Sequence, residues 1–176
     1  MTKMIKKILT IVALLFLTQS LAPGESKAGP VITESFASMQ IKPGEPWKVY
    51  INAKIADGEM SAFIFKISLP GGAVCPLAQT GIKEPYRQRV SGFLSLRMVI
   101  LDYLEPENLL LNVQIKDKAG HLSAPAFFPL VIDPKGQKEN PQAGIFKEVH
   151  LGPIKQAECS RIILVGADEA IRNVGP

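Results

Sequence analysis

Two cysteines and two histidines are the side chains in this chain best suited to chemistry, and their spacing limits what they can do. Cys75 and Cys159 lie far apart, and His121 and His150 are the only imidazoles. No His-x-x-x-His or Cys-x-x-Cys spacing exists, so a zinc site would need ligands gathered from scattered positions. A nucleophilic cysteine would need one of the two histidines as its base. His121 falls in a turn, where a solvated role is the simplest account. Asp102, Glu105 and Glu107 cluster at one corner, with Asp57, Glu59, Asp117 and Asp133 near other strand ends. Calcium takes six to eight oxygens, and no Asp-x-Asp-x-Asp loop is present to offer them. The acids read as solubilising loop charge, and nothing singles out two of them as a glycosidase pair. Gly-x-Ser-x-Gly is absent as well. The expectation is therefore no catalytic, cofactor-binding or metal-ligating residues, and no enzyme.

The compartment decides what the cysteines do. Lys3, Lys6 and Lys7 head an apolar run, Ile8 to Leu17, and Ser26-Lys27-Ala28 offers small residues at −3 and −1 of a cut before Gly29. This reads as a cleavable signal peptide over residues 1–28, with Ala28 and Gly29 flanking the cut. The apolar stretch ends by Ala22, short of the roughly 20 residues a spanning helix needs. An exported protein, periplasmic or secreted, is expected, without a membrane span once the signal is removed. In that oxidising space Cys75 and Cys159 become candidates for a disulfide. Closing so long a loop is worth about 4–5 kcal/mol on the chain-entropy model.

The whole chain carries a formal charge of +4, but residues 1–28 hold Lys3, Lys6, Lys7 and Lys27 against Glu25 alone. The mature chain is nearly neutral, and its charges alternate in sign along the sequence. Nucleic acid would need a basic stripe able to neutralise several phosphates, so that partner class is rejected.

The elements that must position these residues read as strands. In Trp47 to Ala56, Trp47, Val49, Ile51, Ala53 and Ile55 alternate with Lys48, Tyr50, Asn52, Lys54 and Ala56. That period puts one row on a core and the other in water. Asp57-Gly58 carries a hairpin signal. Ser61 to Leu69 sends Phe63, Phe65, Ile67 and Leu69 inward, and residues 70–88 form a long irregular stretch. Arg89 to Leu101 follows, with Gly92 as a candidate bulge. Leu109 to Asp117 alternates again. Ser123 to Ile132 contains Pro125 and Pro129, which confines it to a sheet edge or a bulge. Val31 to Met39 supplies a first strand. Ala62, Ile64 and Leu110 place apolar residues on outward faces. The simplest account is that the tail or partner sheet covers them, and the alternative is an exposed patch for a protein partner.

About six strands with turn signals every ten residues or so give an antiparallel sandwich with Greek-key connections. Residues 29–132 form this body, 133–144 read as a linker, and 145–176 as a C-terminal extension packing on the sandwich. Within the extension, Ile145–Leu151 and Arg161–Val165 are short strand candidates, and Asp168–Arg172 could make one helical turn.

Lys42-Pro43-Gly44-Glu45 leading into Trp47-Lys48-Val49-Tyr50-Ile51, together with Asp117-Lys118-Ala119-Gly120-His121-Leu122-Ser123, resembles bacterial immunoglobulin-like or fibronectin-type-III-like domains of exported proteins. The resemblance spans Ile41 to Ile132. It implies an all-β immunoglobulin-like β-sandwich and, by analogy alone, a binding or spacing role. The antibody pattern of a disulfide beside a strand-C tryptophan is not met, since Trp47 falls on the second strand. The expected protein is a monomeric, non-catalytic accessory or binding module with another extracytoplasmic protein as its partner. A structural subunit of a pilus-like surface assembly is the alternative, and a small extracytoplasmic hydrolase a third.

Overall fold

Trp47, Val49, Ile51 and Ala53 are buried, as period two requires, and their strand is the centre of one sheet. The computed structural model describes residues 28–72, 74–100, 107–155 and 162–165. Residues 1–27 of the expected signal peptide, Asp102, Glu105, Cys159 and the helical turn expected at 168–172 lie outside them.

Ten strands are described: β1 Val31–Ala37, β2 Gln40–Ile41, β3 Trp47–Lys54, β4 Met60–Ser68, β5 Ala78–Gly81, β6 Arg89–Ile100, β7 Glu107–Asp117, β8 Ala126–Ile132, β9 His150–Pro153 and β10 Ile162–Val165. One sheet runs β1-β3-β6-β10, with β9 also on β6, and the other runs β2-β8-β7-β4-β5. The first strand changes sheets between β1 and β2, and β2 pairs in parallel with β8. This is the immunoglobulin-like β-sandwich, strands A, B and E facing A′, G, F, C and C′. Its pairings are antiparallel apart from β2 with β8 and β6 with β9.

The core lies between the sheets. Phe63, Phe65 and Ile67 of β4, Leu109, Leu111, Val113 and Ile115 of β7, and Phe128, Leu130 and Ile132 of β8 meet the β3 row and Val90, Leu94 and Leu96 of β6. Trp47 sits at its centre, and its indole N–H donates to Ser38 O at 2.8 Å, so its one polar atom is satisfied. Pro129 stands opposite Leu110 of β7, and β2 reaches only Val131 and Ile132 on the other side of β8. The proline-bearing strand is thus an edge over most of its length, where a missing N–H is tolerated.

Several expectations are corrected. Asp57-Gly58 makes a turn with Gly58 at φ 90°, but not a hairpin, because β3 and β4 belong to different sheets. Its ends are instead held by the 87–88 backbone: Ile55 N donates to Gln88 O and Met60 N to Arg87 O. The irregular stretch 70–88 contains a short edge strand, β5, paired to β4. Gly92 marks no bulge in the unbroken β3–β6 ladder. It marks a close approach: a Cβ there would stand 2.4 Å from Val149 O and 2.9 Å from Leu151 Cγ, because β9 docks against it.

Tyr50 belongs to the row expected in water, yet it is only 5% exposed. The cause is the stretch read as a linker together with the start of the extension that follows it, which brings Phe146 and Glu148 onto Tyr50. From the end of β8 it passes the sheet-switch point, where Glu139 N donates to Ser38 Oγ, and crosses the outer face of the first sheet. Asn52 Nδ2 donates to Ile145 O, Lys147 N to Ser91 Oγ, and Phe93 N to Val149 O before β9 begins. Residues 133–149 form a strap fastened across that face.

Candidate functional site

The residues singled out for chemistry are dispersed. Cys75 is buried in the core cluster with its N–H donating to Ile67 O, and Cys159 lies outside the described residues. Ala28 is exposed and Gly29 packs near the His121 Cβ. His121 is more than a solvated turn residue. Its ring and backbone N–H groups both reach Asp117, Nδ1 to Oδ2 and N to Oδ1, each at 2.8 Å. A carboxylate only accepts, so Nδ1 carries the proton in this bond. Burial works against ionising Asp117, but these His121 hydrogen bonds outweigh it and hold the carboxyl below its ordinary value. In the same turn Gly120 takes φ 96°, and Ser123 Oγ accepts the Ile115 N–H at 2.9 Å. The Asp-x-Ala-Gly-x-x-Ser motif is a device for closing the β7–β8 turn.

Glu59 and Asp133 have local partners. Glu59 pairs with Lys118 at 2.6 Å and Arg87 at 3.3 Å, and the Lys118 hydrogen bond leads in lowering its pKa. Asp133 Oδ1 accepts the Lys135 N–H. Among the described residues no three His, Cys, Asp or Glu side chains converge as metal ligands would.

His150 Nε2 lies 2.8 Å from Ser95 Oγ, its ring against Phe93. A serine beside a histidine is a nucleophile-and-base geometry. Among the described residues no carboxylate hydrogen-bonds this ring.

Beneath the strap, Tyr50 is ringed by Phe36, Phe93 and Phe146 at centroid distances of 5.5–6.3 Å. Its hydroxyl donates to Glu148 Oε1 at 2.8 Å, and Lys48 Nζ donates to Glu148 Oε2 at 2.9 Å while lying 4.2 Å from the Phe93 ring centre. The Lys48 hydrogen bond, then that of Tyr50, lowers the Glu148 pKa. The hydrogen bond to Glu148 raises that of Lys48, and burial raises that of Tyr50. The cluster clamps the strap to the sheet through one carboxylate and a set of rings.

The outer face of the second sheet is different. Phe127 is 57% exposed and Leu110 39%, with Pro129 exposed directly opposite Leu110. Among the described residues no segment covers them, and the described strap lies over the other sheet. Ala62 is buried and Ile64 half-buried beside β5. The charged side chains of the outward rows of β4 and β7 are Lys66 and Lys116, both cations. Phe127 was not singled out in the sequence because its row in β8 alternates with prolines and valine, which hides an apolar outer face inside a strand already apolar on its inner one.

No protein-family model matches the chain, and no curated protein matches it. Comparison with solved structures finds the PKD domain of M14-like peptidase from Thermoplasmatales archaeon SCGC AB-540-F20. It is 11% identical, with a TM-score of 0.36, and covers 61% of this chain and 99% of that one.

Proposed function

We propose that this chain is an exported, non-catalytic binding module that recognises another protein through the outer face of β4, β7 and β8. The carrying observation is the asymmetry of the sandwich. One outer face is covered by the chain's own strap, while on the other no described residue covers Phe127, Leu110 and Pro129. A contiguous exposed apolar patch marks an interaction site, and aromatic side chains supply much of the energy at such centres. Lys66, across β7 from Phe127 through Asn112, and Lys116, four residues further along β7, make this face cationic, which favours a partner with an apolar centre and a carboxylate rim. The same two cations disfavour a symmetric pairing of this face with itself.

The test is site-specific photo-crosslinking in the producing cell, with the crosslinker at position 127 or, as control, at position 138 on the strap. The reading expects one discrete heterologous product from position 127 and none from 138, with the yield reduced by Lys66→Glu and Lys116→Glu together. No product from position 127, or products consisting only of further copies of this chain, would overturn it. Concentration-dependent polymers on size-exclusion chromatography would point instead to a structural subunit.

A further inference from the structure

Where β3 and β6 begin to separate, Lys54 stands directly opposite Arg89 and Asn52 opposite Ser91. Like charges placed opposite one another across a strand pair are destabilising. Neither cation has an ion-pair partner among the described residues. The strap adds Lys147, placed there by its N–H bond to Ser91 Oγ, and the loop before β6 adds Tyr86. Together these line a cleft of about 600 Å³ whose wall contains no acid. Glu34 stands beside the cleft, where Asn52 Nδ2 holds its Oε2 at 3.0 Å.

The neutral groups in the wall are set to make hydrogen bonds. The Tyr86 hydroxyl has no partner among the described residues. Ser91 Oγ accepts from the strap and keeps its own proton to donate. Asn52 donates through Nδ2 to Glu34 and Ile145, which fixes its amide orientation and leaves Oδ1 unpartnered but buried, so it shapes the wall without offering a free group. A cavity of this volume is of ligand size rather than ion size. We infer that this cleft binds an acidic carbohydrate: its carboxylate or ester anions pair with Lys54, Arg89 and Lys147, and its hydroxyls meet Tyr86 and Ser91. The like-charged cross-strand pair is then a stability cost retained for ligand charge. The cleft is on the opposite sheet from the proposed protein-binding face, so the two readings stand or fall separately.

The experiment is an amide-resolved NMR titration of the mature protein with trigalacturonate, with maltotriose as a neutral sugar of similar size, and with inorganic phosphate. The expected result is saturable shifts at 52–54, 86, 89–91 and 147 with trigalacturonate, weakened at about 0.15 M salt. Maltotriose should give none, and phosphate should bind at least about tenfold more weakly because so small an anion cannot reach the three cations and both hydroxyls at once. Lys54→Gln with Arg89→Gln should weaken trigalacturonate about 10- to 100-fold while leaving the melting temperature equal or higher, since it relieves the repulsion. Lys147→Gln, on the strap, should also weaken it and serves if the double variant folds poorly. Maltotriose binding as tightly, unchanged trigalacturonate affinity in the variants, or phosphate matching the sugar acid would each overturn the assignment.

Discussion

Replacing Gly92 by alanine tests the docking of the strap's far end. The new Cβ would meet Val149 O at 2.4 Å and Leu151 Cγ at 2.9 Å. A carbon–oxygen contact is comfortable at about 3.3 Å or more, so β9 must retreat by about 1 Å or leave. If it retreats in place, the cost is that of overpacking, about 1–3 kcal/mol. If it leaves, Leu151 and Ile154, 7% and 2% exposed, lose about 1.5–3 kcal/mol of burial each. The Phe93 N–Val149 O and Ile154 N–Ser95 O bonds go too, at about 1 kcal/mol apiece. The freed residues regain about 1–2 kcal/mol each of backbone entropy, which offsets much of that loss. The cheaper route sets the effect, so the cost of overpacking is its ceiling, about 1–3 kcal/mol, or roughly 3–9 °C in Tm for a domain of this size.

Gly81→Ala is the matched control. It also lies in a strand, its φ is not positive, and a Cβ there meets nothing within 4 Å. It should be neutral or stabilise by up to about 1 kcal/mol. Urea melts of both variants give the free energies, and hydrogen exchange at the Phe93 and Ile154 amides reports whether β9 stays docked. A Gly92→Ala protein as stable as Gly81→Ala, with Phe93 protection unchanged, would refute the reasoning.

Asp117, Glu59 and Glu148 all have folded-state pKa values below their ordinary 3.8 or 4.5. Their contributions are therefore present above those values and are lost as pH falls through the lower folded ones. Stability should hold near neutrality and decline below about pH 4, and Asp117→Asn should flatten part of that decline; a wild-type protein equally stable at pH 5 and pH 3 would sink this. For the cysteines, thiol labelling of the denatured, unreduced protein should find no free thiol, and reduction should lower stability by up to about 4–5 kcal/mol; two labelled thiols would remove the bridge. Intact mass of the exported product should begin at Gly29, and an unprocessed N-terminus would refute the proposed export route.

The inward rows were legible because period two is a property of the backbone. Trp47, Val49, Ile51 and Ala53 had to share a face, as did Phe63, Phe65 and Ile67, whatever the neighbouring strands were. Pairing was less legible. Asp57-Gly58 reverses the chain through Gly58, but local turn chemistry does not say whether the next strand joins the same sheet or the facing one. Gly92 was ambiguous for a related reason: a glycine within a strand fits a bulge or a close approach equally well, and only the position of β9, some sixty residues on, separates the two.

The coverage of the outer faces was the least legible feature, and it bears most on function. Residues 133–149 have no periodicity, because a strap binds through single contacts: Ser38 Oγ, Asn52 Nδ2, Ser91 Oγ and the Glu148 carboxylate. Such contacts leave no repeating pattern to read. Ordering a strap costs about 1–2 kcal/mol per residue in backbone entropy alone, so it forms only where the face beneath supplies enough in return. Tyr50, Phe36 and Phe93 supply it on the first sheet. On the second, Phe127, Leu110 and Pro129 could reward a similar cover, yet the chain's described covering segment lies elsewhere. On the proposed reading a partner supplies that cover, and Lys66, across β7 from Phe127 through Asn112, makes a partner with a carboxylate rim the one to look for.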